Sequence, residues 1–140
     1  MAGQPVVVRT VVLDTDVSSL ITERQLLARL GALLTDRLFS IAFVRVAELR
    51  YWVESRPMSR QRLAELTAWK RDVVKLPGDL ESAEVWGQLS AAARLRGRPR
   101  PQNDMWITAS CISRGLPLST RKVRDFADFA EHHGLVLVSE

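Results

Sequence analysis

The chain has 140 residues, of which 46% are hydrophobic and 26% charged, and this composition is typical of one globular domain with a buried core. No apolar run approaches the roughly 20 residues of a membrane span, and residues 1–5 lack the features of a secretory signal. We therefore predict a single cytoplasmic domain over 1–140, with a flexible leader at 1–5 and no membrane partner. The net charge is +4, and all basic residues except Lys70, Lys75 and Lys122 are arginines, which favours a phosphate-bearing partner such as nucleic acid.

The first part of the chain predicts alternating strands and helices. Residues 6–13 form a nearly continuous apolar run rich in β-branched residues, as in a strand buried on both faces, and this run ends at Asp14. A capping box at Thr22 predicts a helix to about residue 35. Residues 38–44 predict a second strand, and a helix that carries Glu48 follows to about residue 57.

The remainder predicts three further helices, then two strands separated by a last helix. Ser59 and Asp79 are suitable caps for helices that end at Pro77-Gly78 and near residue 93, and the tryptophans of these two helices lie on their apolar stripes, which favours core packing over base stacking. Asn103 is the predicted N-cap of a helix ending at Gly115, with Asp104 in its first turn. Residues 116–119 and 134–138 predict strands, and 123–130 predict the helix between them.

These alternating elements predict an α/β fold, a three-layer α/β/α sandwich around a mostly parallel sheet of four to five strands. Asp14, Glu48, Asp104 and Asp125 each stand where a strand ends or a helix begins. Because the carboxyl ends of parallel strands share one edge, these four acids are predicted to converge. Clustered carboxylates repel one another and either take up protons or bind a hard cation, so the pattern indicates a divalent-metal site.

Four segments of the chain carry a further signal, and they are Leu13-Asp-Thr-Asp-Val17, Val46-Ala-Glu-Leu-Arg-Tyr51, Asn103-Asp-Met-Trp-Ile-Thr-Ala109 and Ser119-Thr-Arg-Lys-Val-Arg-Asp-Phe126. In this order and spacing they resemble the PIN-domain family and specifically its VapC-like toxin ribonucleases. The resemblance covers nearly the whole chain. It implies a PIN-like fold and an endoribonuclease that uses Mg²⁺ or Mn²⁺ to hydrolyse RNA. It also implies a homodimer that is held inactive by a small antitoxin protein.

The resemblance assigns roles to individual residues. The acids of the family match Asp14, Glu48 and Asp104, with Asp125 as the candidate for the more variable fourth acid, and these four are the expected catalytic and metal-binding residues. Thr120 matches a hydroxyl residue expected to orient a metal-bound water. Asp16, which stands where the family commonly has Asn, and Asn103 are expected to support the site from just outside it.

Arginines near the acids are the predicted contacts for RNA or for an antitoxin segment, because an acidic pocket does not attract RNA unaided. The densest cluster leaves a helix and leads directly to Asp104. The candidates are Arg50, Arg94, Arg96, Arg98, Arg100 and Arg121.

Other interpretations remain open from the sequence. Taken singly, each acid can be a helix cap, half of a surface ion pair or a solvated charge. Residues 11–16 resemble the opening motif of haloacid-dehalogenase-like phosphatases, although the chain is short for that family. A non-catalytic PIN-like module that grips RNA or protein is a further alternative. The lone Cys111 lies in an apolar helical stretch and indicates a core residue rather than a nucleophile.

Overall fold

The structure is a computed structural model that describes residues 9–17 and 37–138. Within these ranges it contains five strands and five helices, and residues 15–17 are also helical. The strands are β1 (Arg9–Leu13), β2 (Arg37–Ala42), β3 (Val74–Leu76), β4 (Leu118–Ser119) and β5 (Leu137–Val138). The helices are α1 (Phe43–Ser55), α2 (Arg60–Asp72), α3 (Leu80–Leu95), α4 (Gln102–Arg114) and α5 (Val123–His133). None of the described helices could span a membrane.

The five strands form one parallel sheet in the order β3-β2-β1-β4-β5. β1 lies at the centre, with Val12 paired to Ser40 of β2 on one side and to Leu118 of β4 on the other. The chain builds the sheet outward from β1 to β2 and β3, and then returns to add β4 and β5 beyond the other edge of β1. The gap beyond the carboxyl ends of β1 and β4 is therefore a topological switch point, where open α/β sheets usually bind their ligands.

Two apolar clusters cover the two faces of the sheet. Val11 and Leu13 of β1 belong to the cluster that also contains Leu49 of α1 and Leu66 of α2. Val12, which points to the opposite face because side chains alternate along a strand, belongs to the cluster formed with α3, α4 and α5. Helices thus pack on both faces, and the predicted three-layer sandwich around a parallel sheet is confirmed.

Two predicted boundaries in the middle of the chain were wrong. The second strand ends at Ala42, and Phe43 already begins α1, whose first turn has no side-chain cap. β3 was not predicted: α2 ends at Asp72, and residues 74–76 then pair with β2 as the edge strand of the sheet. Three residues are too few to show a strand periodicity, so only the pairing with β2 reveals this element.

The remaining differences concern the ends of elements. Asn103 is not an N-cap as predicted, because α4 begins at Gln102 after Pro101, which places Asn103 in the first turn. The predicted strands at 116–119 and 134–138 shorten to two paired residues each, and the last helix extends to His133. The leader at 1–5, the start of the first strand and the helix predicted over 22–35 lie outside the described residues.

Gly78 tests how closely α1 packs against the loop that follows β3. A Cβ added at Gly78 would lie 2.9 Å from Cε1 of Phe43, whose ring packs edge-on against Trp106. We expect Gly78→Ala to lower the free energy of unfolding by about 1 kcal/mol or more, because overpacking a filled site displaces the ring. Chemical denaturation monitored by circular dichroism measures this change.

Gly87 provides the matched control, since a Cβ there meets no atom of the described residues within 4 Å. Gly87 lies inside α3, so Gly87→Ala should stabilise the protein by about 0.5 to 1 kcal/mol through helix propensity. Equal effects of the two substitutions would contradict close packing at Gly78.

Candidate acidic active site

Asp14 lies at the switch point, directly after the last residue of β1. Its backbone N–H donates to the carbonyl oxygen of Ser119 at 2.9 Å, so the pairing of β1 with β4 continues to the base of the site. The carboxylate is 3% exposed and accepts two hydrogen bonds, one from the Thr120 hydroxyl at 2.8 Å and one from the Thr15 backbone N–H at 2.7 Å. Asp14 is therefore held in a fixed orientation by both neighbouring segments.

The pKa of Asp14 reflects a balance between burial and these hydrogen bonds. Burial is the largest influence and raises the pKa from 3.8 to about 6, because a desolvated carboxylate favours its neutral form. The hydrogen bond from Thr120 opposes the increase, whereas the negative charges of Asp16 and Asp104 add to it. A cation that binds beside a carboxylate buried among like charges would favour its ionised form.

Glu48 reaches the same edge from the second turn of α1. The hydroxyl of Thr15 donates to Glu48 Oε1 at 3.2 Å, while the backbone N–H of Thr15 binds Asp14. One residue thus connects two predicted acids that are 34 positions apart. Thr15 was not among the predicted site residues, although a hydroxyl directly after the first acid could have indicated such a role.

Asp104 and Asp125 lie in the first turns of α4 and α5, where helix dipoles favour negative charge. Arg100 contacts both: its Nη2 is 3.5 Å from Asp104 Oδ2 and 3.1 Å from Asp125 Oδ1. Burial raises the pKa of Asp104, and the charges of Arg100 and Lys122 oppose this effect while Asp125 adds to it. The guanidinium of Arg100 therefore bridges the two acids as a cation.

The supporting residues named from the sequence lie at the same edge. Thr120 is fully buried, and its hydroxyl donates to Asp14 while accepting from the backbone N–H of Lys122 at 2.9 Å. It therefore positions a carboxylate, and its predicted contact with a water stays a prediction. Asp16 raises the pKa of Asp14 through its charge, and Asn103 lines a cavity of about 400 Å³ together with Glu48 and the exposed Tyr51.

The donor set at this edge suits a hard divalent cation. All of its groups are oxygen donors, and Asp16 Oδ1 is buried without a hydrogen-bond partner in the described part of the chain. Across residues 9–17 and 37–138, no three Asp, Glu, His or Cys side chains are close enough together to hold one ion jointly. Mg²⁺ nevertheless commonly uses only one or two protein carboxylates and keeps several waters, so the residues present fit such an ion.

The four arginines between residues 94 and 100 differ in the contacts that they make. Arg96 donates to Asp128 of α5 through Nε and Nη2 and also contacts His133, so it fastens the end of α3 to α5. Arg100 bridges the acids as described. Arg94 and Arg98 are exposed, which leaves them as the members of the cluster best placed to contact an external anion.

The other two predicted arginines lie on the surface. Arg50 pairs with Glu54 one turn along α1, and both side chains are about two-thirds exposed, so this ion pair contributes little. Arg121 is exposed directly after Thr120. The predicted roles of both arginines in binding stay predictions.

Sequence and structure comparisons identify relatives of this chain. It is 37% identical over 99 residues to Ribonuclease VapC5 from Mycobacterium tuberculosis, a match that spans 69% of this chain and 71% of that protein. It is 27% identical over 126 residues to VapC ribonuclease Y4jK from Sinorhizobium fredii, covering 83% and 89%. No protein-family model matches.

Solved structures agree with these relatives. The crystal structure of VapBC-5, a member of the VapBC family of toxin-antitoxin systems from M. tuberculosis, aligns over 94% of this chain and 98% of its own. The TM-score is 0.73 and the identity 32%. DNA-bound VapBC from Salmonella typhimurium gives a TM-score of 0.79 at 23% identity, covering 94% and 98%, which shows a shared fold.

The raised pKa of Asp14 predicts a pH-dependent stability. The folded protein holds this proton more tightly than the unfolded chain, so its stability falls as the pH rises from about 4 to about 6. In metal-free buffer at pH 7.5, we expect Asp14→Asn to raise the free energy of unfolding by on the order of 2 kcal/mol, since the substitution removes a buried charge. The gain should disappear near pH 4, as measured by urea denaturation across this range.

Asp72→Asn, at an exposed aspartate remote from the edge, provides the control and should change stability equally at both pH values. A destabilised Asp14→Asn variant at pH 7.5 would show instead that the contacts with Thr15 and Thr120 require a carboxylate.

Proposed function

The chain belongs to the VapC ribonuclease family, and from that membership we propose that it cleaves RNA at the acidic edge with the help of Mg²⁺ or Mn²⁺. The observation that supports this proposal is a pair of links at the switch point of the sheet: Thr15 joins Asp14 to Glu48, and Arg100 joins Asp104 to Asp125. Membership of this family confirms the resemblance that the four sequence motifs indicated. The chain is therefore an RNA-hydrolysing enzyme. The metal requirement and the roles of individual residues are our proposals.

The proposed roles follow from the contacts at the edge. Asp14 and Asp104 would be the principal ligands of a divalent ion, and Asp125 would hold a second ion or contact the first one through water. A bound divalent cation would neutralise the phosphate and lower the pKa of an attacking water. Glu48 is a further ligand or accepts the proton of that water, and Thr15 fixes its orientation by donating to Oε1.

Thr120 and Arg100 control the charge at this edge in different ways. The hydroxyl of Thr120 favours the ionised form of Asp14, which is the form that binds a cation. Arg100 bridges Asp104 and Asp125, and a divalent ion on these oxygens would compete with its guanidinium. We propose that Arg100 then turns toward an RNA phosphate, which keeps a basic group beside the reacting bond.

RNA enters over a surface that carries the exposed arginines. Arg94 and Arg98 offer guanidinium groups to the phosphate backbone, and Arg121 stands next to Thr120 at the edge. Phosphate contacts of this kind hold the strand without reading its sequence. Arg96, which is bound to Asp128, supports the loop rather than the RNA.

The proposed partner besides RNA is a small antitoxin protein. VapBC-5 is a member of a toxin-antitoxin family, and the other solved structure is VapBC bound to DNA. We propose that this chain is the toxin of such a pair, that it forms a homodimer, and that it acts in the cytoplasm. Mutual repulsion among the acids would favour an antitoxin segment with a basic residue at this edge.

Asp104→Asn tests the proposed reaction. We expect wild-type protein to cleave single-stranded RNA only when Mg²⁺ or Mn²⁺ is added, and Asp104→Asn to lower the rate by roughly 100-fold or more, because the ion loses a principal ligand. Electrophoresis of labelled RNA measures the rate, and isothermal titration with Mn²⁺ measures ion binding independently.

Asp72→Asn should leave both measurements unchanged, since Asp72 is exposed and lies at the end of α2 away from the edge. Full cleavage in the presence of a chelator would reject the metal requirement. Tight RNA binding without cleavage and without ion binding would instead support the alternative of a non-catalytic RNA-binding module. Hydrolysis of a phosphomonoester by wild-type protein would support the alternative of a haloacid-dehalogenase-like phosphatase.

Co-expression tests the toxin assignment. Expression of this chain alone should arrest bacterial growth, and co-expression of the small protein encoded beside it should restore growth by occupying the acidic edge. Asp14→Asn should express equally well without causing arrest. Growth arrest that persists in Asp14→Asn would separate toxicity from the proposed chemistry.

A further inference from the structure

A second cavity lies beside the acidic edge, between α3 and α4 and under the loop that joins them. Its volume is about 380 Å³, within the range of roughly 300 to 1,000 Å³ that is usual for small-molecule sites. Among the described residues that line it are Trp86, Ser90, Arg94, Arg100, Gln102 and Met105. None of these residues is one of the proposed metal ligands.

Arg100 connects this cavity to the acidic edge. The same side chain that lines the cavity places Nη2 within 3.5 Å of Asp104 and 3.1 Å of Asp125. Gln102 lines the cavity from the first turn of α4, and Asp104 lies two residues further along that turn. Only the Arg100 side chain therefore lies between a ligand in the cavity and the acids at which the phosphodiester is proposed to react.

The walls of the cavity combine apolar and basic character. Trp86 and Met105 provide an aromatic and a flexible apolar surface, and Trp86 is itself stacked on Trp106 at a ring separation of 5.2 Å. Arg94 is exposed at the end of α3 and carries a positive charge to the cavity. An aromatic group that bears an anion matches this combination.

Hydrogen-bond donors in these walls point to the same class of ligand. Trp86 Nε1, Ser90 Oγ and Arg100 Nε are buried and have no hydrogen-bond partner among the residues that the structure describes. Two of these atoms can only donate and the third can also donate, so a rotation of these side chains toward the cavity would let a ligand rich in acceptor atoms satisfy them. The edges of nucleobases carry such acceptors, whereas an apolar side chain from a protein partner would leave the donors unpaired.

We propose that this cavity binds one nucleotide of the RNA substrate adjacent to the cleaved phosphodiester, with the base against Trp86 and Met105 and a phosphate at Arg94. The proposal rests on the function proposed above, because it assumes that RNA is the substrate. It adds a base-binding subsite, and hence a source of sequence preference next to the cut, because base–aromatic contacts hold an unpaired base and donors in the wall discriminate its edge.

Nuclear magnetic resonance of the tryptophan indoles tests this subsite directly. Asp14→Asn protein in metal-free buffer is titrated with each of the four ribonucleoside 5′-monophosphates up to about 10 mM, a concentration suited to millimolar affinity. The Trp86 indole N–H, identified by its loss in Trp86→Phe, should shift with saturation. The Trp69 indole on α2 should not move, because α2 packs on the opposite face of the sheet.

Two matched pairs of variants locate the binding. Ser90→Met fills the cavity and should weaken nucleotide binding about fivefold or more, whereas Gln88→Met, at an exposed position of the same helix, should change it less than about twofold. Arg94→Gln should weaken binding more than Arg98→Gln, although both remove one exposed positive charge. Ser90→Met should also change the preferred base beside the cut in wild-type background.

Specific outcomes overturn the proposal. These are an unshifted Trp86 indole at the highest nucleotide concentration, equal weakening by Arg94→Gln and Arg98→Gln, or a Trp86 response only to the antitoxin. Nucleotide binding is measured without metal and in the Asp14→Asn background. The binding measurement therefore does not depend on whether the protein cleaves RNA. Failure of the subsite is therefore distinguishable from failure of the proposed reaction.

Discussion

The parallel pairing of β1 with β4 is the contact on which the rest of the site depends. It joins segments more than 100 residues apart, and its last hydrogen bond runs from the N–H of Asp14 to the carbonyl of Ser119. The next residue, Thr120, then donates its hydroxyl to the Asp14 carboxylate. A slip of one residue in this register would turn the Thr120 side chain to the other face, because side chains alternate along a strand. The pairing thus determines both the topology of the sheet and the orientation of the central acid.

That central acid makes the edge electrostatically unfavourable in the absence of bound cations. Asp14 is buried next to the charges of Asp16 and Asp104, and its raised pKa shows that ionisation there is costly. The chain supplies two cations of its own, since Arg100 and Lys122 both lower the pKa of Asp104. An arginine that bridges two acids offsets part of their repulsion while remaining displaceable, because its contacts lie partly exposed to solvent. These two basic side chains thereby reduce the repulsion among the acids.

The sequence predicted those parts of the molecule that depend on local pattern. Asp14 directly follows β1, and Asp104 and Asp125 lie in the first turns of α4 and α5, so the rule that parallel strands end at one edge was sufficient to predict these positions. Glu48 lies further along its helix, in the second turn of α1. Features that depend on contacts distant in sequence were not predicted. β3 is too short to show periodicity and exists through its pairing with β2. The bond between Arg96 and Asp128 spans 32 positions, so composition alone grouped Arg96 with the exposed arginines. Asn103 was expected to cap α4 from its residue type, but the backbone enters the helix one residue before it, at Gln102.

The loop between α3 and α4 shows why these distant contacts matter for function. Its two ends are fixed by ion pairs to α5, through Arg96 to Asp128 and through Arg100 to Asp125. A loop fixed in this way presents Arg98 in a defined position, beside Arg94 in the last turn of α3, which reduces the conformational entropy that binding would otherwise cost. Arg100 belongs both to the acidic edge and to the neighbouring cavity. If the edge binds a cation and the cavity a nucleotide, as proposed, displacement of this guanidinium would link the two events, and by reciprocity each ligand would change the affinity for the other by the same factor.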